Sequence, residues 1–221
     1  MHDVVRWNER ALEKALKTRR IVVISGARQC GKSTLLNMIC GILSPNKGQI
    51  FIDGIEITSL SQKQKDKIRI QKIGYVYQDF KLIKNMSVMD NINILRLENI
   101  DVSSSEELLK KLGIDDKKNK KVANLSGGES QRVAIVRALA KKPDIILCDE
   151  PTGNLDPETG RQIISILHKV RESGTSVLMI THNLQWLTEF PGRVLVCEDR
   201  KLSERNCPCD EARSDEEQQK E

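Results

Sequence analysis

The sequence is poor in aromatic residues: two Trp, two Tyr and three Phe stand among 221 residues. A surface that grips single strands of nucleic acid needs aromatic platforms beside a concentrated basic face. A net charge of +5, spread over a chain that is 30% charged, supplies neither, so no nucleic-acid partner is expected. Long apolar runs are missing too. None approaches the roughly 18 residues that a membrane-spanning helix needs, and Met1-His2-Asp3-Val4-Val5-Arg6 lacks the charged-then-apolar order of a secretory signal. Of the six cysteines, Cys30, Cys40, Cys148 and Cys197 sit among apolar or glycine neighbours and read as small, reduced interior residues. Cys207-Pro208-Cys209 is the sole close pair and falls short of a closed zinc site. These absences point to a soluble cytosolic protein whose length suits one domain with a subdomain.

What is present alternates. Residues 9–20 carry apolar and charged residues at helical spacing and end in a basic cluster. Residues 21–25 are a continuous β-branched run, the mark of a strand buried on both faces. A turn at 26–31 and a helix at 32–43 follow, then a hairpin at 49–57 around Asp53-Gly54. Residues 61–70 predict a helix and 73–77 a strand. After residue 128 the order helix, strand, helix, strand recurs at 129–141, 145–149, 157–172 and 176–181. That alternation predicts an α/β core with a parallel sheet flanked by helices, interrupted by a helical subdomain at about 79–128. We therefore expect a helical segment at 1–20, a core domain at 21–203 and an acidic, disordered tail at 204–221.

Between the first strand and its helix, Gly26-Ala27-Arg28-Gln29-Cys30-Gly31-Lys32-Ser33-Thr34 has the G-x4-G-K-[ST] pattern. Glycines let the backbone wrap a polyphosphate, and N–H groups at the helix start face the anion. The lysine reaches the β and γ phosphates, and the Ser33 hydroxyl ligates magnesium. Ile145-Ile146-Leu147-Cys148-Asp149-Glu150 is the matching partner: four apolar residues bury a strand and two carboxylates emerge at its carboxyl end. Asp149 is placed to hold magnesium through water, and Glu150 to polarise the attacking water. His182 ends the neighbouring strand as a candidate γ-phosphate contact. Gln78 ends another and points to the same face.

Leu125-Ser126-Gly127-Gly128-Glu129 opens a second helix with small residues, a further anion-binding nest. Two phosphate-grasping helix starts but one Lys-Ser-Thr imply two copies of the chain gripping each nucleotide between them.

With these motifs, over about residues 31–202, the chain resembles the ATP-binding subunits of ABC transporters. The stretch from Asp149 to Asp156 is most similar to the subgroup serving lipoprotein release, macrolide or peptide efflux, and the related cell-division complex. The resemblance implies a P-loop NTPase core, ATP with Mg2+, and catalysis by Glu150 and His182. It places Ser33, Gln78 and Asp149 around the metal, and Ser126, Gly127, Gly128 and Asp156 at the nucleotide in a homodimer or pseudo-dimer. It further implies an integral membrane permease docking near 79–100, at the cytoplasmic face of the membrane. The start departs from the family. Its N-terminal antiparallel β subdomain is largely missing, Trp7 is the sole aromatic candidate to stack on adenine, and Arg28-Gln29 replace the usual Ser-Gly. The opening is similar to that of some AAA-type ATPases. A non-transporting regulatory or binding module is therefore the alternative reading.

Overall fold

The computed structural model describes residues 21–26, 32–52, 54–198 and 201–205. The predicted helix at 9–20, Trp7, the residues Ala27, Arg28, Gln29, Cys30 and Gly31, and positions 206–221 lie outside the described residues.

In chain order the strands are β1 (Ile21–Gly26), β2 (Phe51–Ile52), β3 (Ile55–Glu56), β4 (Ile73–Val76), β5 (Ile145–Asp149), β6 (Ser176–Ile180), β7 (Arg193–Glu198) and β8 (Lys201–Arg205). The helices are α1 (Lys32–Ile39), α2 (Gln62–Lys72), α3 (Val88–Asn93), α4 (Ser105–Lys111), α5 (Gly127–Leu139), α6 (Pro157–Glu172) and α7 (Trp186–Glu189), with short 3-10 turns between α3 and α5. One sheet has the order β4-β5-β6-β1-β7-β8. It is parallel from β4 to β7, and only β8 runs the other way.

Alternate residues of each parallel strand feed opposite faces, as a period of two requires. Val23, Ile146, Cys148, Val177 and Met179 pack with α5 and α6 on one side, through Ile135, Ile163, Ile164 and Leu167. Val22, Ile24, Leu147, Leu178 and Ile180 pack on the other with Leu35, Leu36 and Ile39 of α1. Both faces are covered, which is why these strands read as unbroken apolar runs. A third cluster joins Val88, Ile92 and Leu109 to Val133, Val136 and Ala140, so α5 serves the sheet with one stripe and the helical insertion with another.

Three expectations change. The first helix stops at Ile39 rather than 43, where Gly41 turns at φ +68° and the Ile42 and Leu43 amides both bond back to the Asn37 carbonyl. The alternation read from the sequence ended at 181, yet β7 adds a further parallel strand beside β1. Positions 204 and 205, expected in the tail, belong to β8 instead, which pairs Glu204 with Leu195 and Arg205 with Val194. Its lone buried apolar residue is Leu202, and Arg193 grips Glu204 across the pair. An edge strand carried by ladder bonds and two ion pairs, the second Arg205–Glu198 at 3.1 Å, leaves little hydrophobic signature. Antiparallel pairing between strands, among the described residues, is confined to β2–β3 and β7–β8.

Candidate functional site

The carboxyl ends of β4, β5, β6 and β1 lie along one edge, in register: Asp149 pairs with Ile180, and Ile24 pairs with Ile180 from the other side. Ligands of open α/β sheets bind outside this edge. Gly26 closes β1 opposite Cys197, and α1 opens with Lys32, Ser33 and Thr34.

Lys32 is 6% exposed, and its ammonium stands 3.4 Å from Nδ1 of His182. The other ring nitrogen, Nε2, stands 2.9 Å from Oε1 of Glu150. An ammonium only donates and a carboxylate only accepts. A neutral imidazole accepts from Lys32 at Nδ1, whereas Glu150 Oε1, though close to Nε2, is buried without a hydrogen-bond donor among the described residues. Residues far apart in sequence thus form one chain, Lys32–His182–Glu150, because β6 lies between β5 and β1.

Glu150 is held in an unusual backbone state, with φ at 47°. Its amide donates to the Ile180 carbonyl at 3.0 Å, and its own carbonyl accepts from the Gly153 amide at 3.1 Å. Left-handed backbone at a non-glycine residue costs about 1–3 kcal/mol and gathers at functional sites. Glutamate has no preference for that region, so nothing in the sequence signalled the strain. Burial raises the Glu150 carboxyl above its ordinary range, against the pull of His182 and Lys32.

Beside this chain the Ser33 hydroxyl donates to Oδ1 of Asp149 at 3.3 Å. The two oxygens suit a hard divalent cation, which binds few protein ligands when phosphate oxygens and water complete its shell. Gln78 reaches the same region less directly. Its Nε2 lies 3.6 Å from where a Cβ on Gly153 would stand.

Ser126, Gly127, Gly128 and Asp156 assemble separately. The Ser126 hydroxyl accepts from the Glu129 amide at 3.2 Å, and Glu129 Oε2 accepts from the Ser126 amide at 2.8 Å. This capping box is written in the sequence as Ser-x-x-Glu. A Cβ on Gly128 would stand 2.4 Å from Thr159 Cγ2, and one on Gly127 would stand 3.3 Å from Leu155 Cδ2. The glycines therefore also let α5 lie against the start of α6. Asp156 caps α6, its Oδ1 accepting from the Thr159 amide at 3.0 Å, and these bonds hold its carboxyl below the usual range. The segment 151–155 links the two clusters, with Gly153 against Glu150 and Gln78 and Leu155 against Gly127.

The family model described as ABC transporter matches residues 10–153. The lipoprotein-releasing system ATP-binding protein LolD of Aquifex aeolicus is 36% identical over 206 residues, covering 90% of this chain and 92% of its own. Methionine import ATP-binding protein MetN 2 of Bacillus cereus is 45% identical over 190 residues. That match covers 83% of this chain and 55% of MetN 2, so the chain spans about half the length of that relative. Among solved structures, the dimeric post-hydrolysis ATP-binding cassette MJ0796, bound to ADP and Pi, superposes with a TM-score of 0.76 at 36% identity. It covers 86% of each chain.

Proposed function

This chain belongs to the ATP-binding subunits of ABC transporters, and from that premise we propose that it hydrolyses ATP between two copies of itself, or of itself and a near relative, to drive a separate membrane permease. The observation that carries the reading is the Lys32–His182–Glu150 chain lying beside the Ser33–Asp149 pair.

Lys32 then neutralises the β and γ phosphates, and His182, standing beside Lys32 and Glu150, donates a ring N–H to the γ-phosphate. Glu150 takes the proton of the attacking water; a carboxyl raised by burial is a better acceptor than an ordinary one. Ser33 and Asp149, with Gln78 nearby, would hold magnesium, which would supply stabilisation of the negative charge on the phosphate oxygens. Ser126 and Gly127 are exposed at the start of α5 and offer their helix end to the nucleotide of the second copy. Asp156, beside them, lies at the seam. Binding closes the pair and hydrolysis reopens it; the MJ0796 structure is dimeric with ADP and Pi.

No helix among the described residues is long and apolar enough to cross a membrane. In this reading the spanning segments belong to the permease, and the chain sits peripherally at the cytoplasmic face. Ile83, Met86 and Leu97 are 48%, 37% and 81% exposed within the region expected to dock, an apolar set suited to a permease loop. The named relatives serve lipoprotein release and methionine import. From the 149–156 stretch we favour export or release of a lipoprotein, peptide or drug-like substrate.

Glu150→Gln tests the core claim. We expect magnesium-dependent phosphate release to vanish while ATP still drives dimer formation in size-exclusion chromatography. Undiminished hydrolysis, or monomers at saturating ATP, overturns it. A wild-type protein that binds ATP without turnover supports instead the passive binding module.

A further inference from the structure

Gln78 is followed by a turn that the local sequence does not favour. Phe80 and Lys81 both adopt left-handed backbone, with φ at 61° and 48°. Neither is a glycine or an asparagine, and two such residues in succession do not hold unless their surroundings impose the shape. The turn's own bonds are few: the Phe80 amide donates to the Tyr77 carbonyl at 3.0 Å, the Lys81 amide to the Asp79 carbonyl at 2.6 Å, and an exposed ion pair joins the Lys81 and Asp79 side chains. Phe80 packs on the core beneath the sheet. The remaining constraint comes from α5. Nη1 of Arg137 donates to the Lys81 carbonyl at 2.8 Å, and Nη2 of the same guanidinium donates to the Phe80 carbonyl at 3.0 Å.

We propose that Arg137 is a positioning residue for Gln78: its guanidinium fork grips the carbonyls of both left-handed residues and so fixes the amide of Gln78 against the Gly153 turn that follows Glu150. The proposal rests on Gln78 serving the hydrolytic site as read above. A planar fork with two parallel donors matches two carbonyls held side by side, whereas a lysine ammonium is a single point on a flexible stem. Arg137 is half-buried, so water competes poorly for the same carbonyls. The helix that carries Arg137 near its end carries the Ser126–Gly128 cluster at its start, about 15 Å away at a rise of about 1.5 Å per residue. One rigid element therefore holds the nest offered to the second copy and the turn that places Gln78. A displacement of α5 at the seam reaches both.

The test is a cycle of Arg137→Gln, Gln78→Ala and the double variant in the full-length protein, with Arg137→Lys as the milder change. We expect Arg137→Gln to lower kcat about tenfold with KM for ATP changed less than about twofold. Arg137→Lys falls between it and wild type. In the Gln78→Ala background the same change should cost nothing further, since Arg137 acts through Gln78. Amide exchange over 78–82 should rise in Arg137→Gln without nucleotide, while exchange in β5 and β6 stays unchanged. An equal loss of kcat in both backgrounds overturns the proposal, as does a loss expressed in KM or an unchanged exchange pattern. Gln78→Ala with full activity sinks the reading of Gln78 itself, and any Arg137 deficit then runs by another route.

Discussion

The two glycines that open α5 are chemically identical neighbours, yet the structure assigns them opposite tolerance to a methyl group. A Cβ on Gly128 would stand 2.4 Å from Thr159 Cγ2, whereas ordinary contact begins near 3.4 Å, so something must open by 3.4 − 2.4 = 1.0 Å. Thr159 cannot easily retreat. Its amide is bonded to Asp156, it is β-branched with few rotamers, and α6 is anchored through Ile163, Ile164 and Leu167 in the core. Overpacking of this kind costs about 1–3 kcal/mol. Alanine recovers up to about 1 kcal/mol of helix propensity, which does not cancel the larger values. At Gly127 the neighbour is the far end of Leu155 at 3.3 Å, needing only 3.4 − 3.3 = 0.1 Å. Gly127→Ala should therefore stay within about 0.5 kcal/mol of wild type, and Gly128→Ala should fall below it by about 1–2 kcal/mol. Urea unfolding without nucleotide reads the difference as a shift in midpoint at constant slope. Thr159→Ser removes the offending methyl and should restore most of the loss in the Gly128→Ala background. Equal stability of the two alanine variants, or no recovery with Thr159→Ser, refutes the packing argument.

Glu150 and the buried thiols give two more. The folded Glu150 carboxyl keeps its proton to higher pH than the unfolded one. Its contribution is therefore most favourable below the unfolded pKa and is lost as pH rises through the raised folded value. Glu150→Gln lacks that decline, so its urea-midpoint advantage over wild type should grow from about pH 4 to about pH 7; an advantage that shrinks contradicts the burial argument. Burial pushes the Cys40 thiol up to about 12 and raises Cys148 as well, and Cys197 is also buried. Peptides carrying these three should stay unalkylated in native protein at about pH 8 and label fully in denaturant. Mass spectrometry that finds them labelled under native conditions overturns their placement.

Strands buried on both faces were legible because every residue of 21–24 and 145–148 is apolar, and the helix at 157–172 because Asp156 caps it and Pro157 fits its first turn. The short 3-10 turns of 94–98, 115–117 and 122–124 left no period to read. β7 had a signal in Val194-Leu195-Val196-Cys197 that the alternation passed over, and β8 had almost none. At the site, Lys32, Ser33, Asp149 and His182 announced themselves by motif or strand end. The capping roles of Ser126 and Asp156 were equally readable, since a cap depends only on residues within three positions.

Which groups can do chemistry, and that each stands at the end of a strand or the start of a helix, follows from local sequence. Those properties are local, set by periodicity, capping and glycine placement. Which of them meet depends on how the elements pack. His182 bridges Lys32 and Glu150 because the sheet runs β5-β6-β1, an order unrelated to the order along the chain. Gly128 faces Thr159, and Arg137 spans two carbonyls at positions 80 and 81, for the same reason. Such contacts join residues through packing across the fold, and no spacing along the chain encodes them.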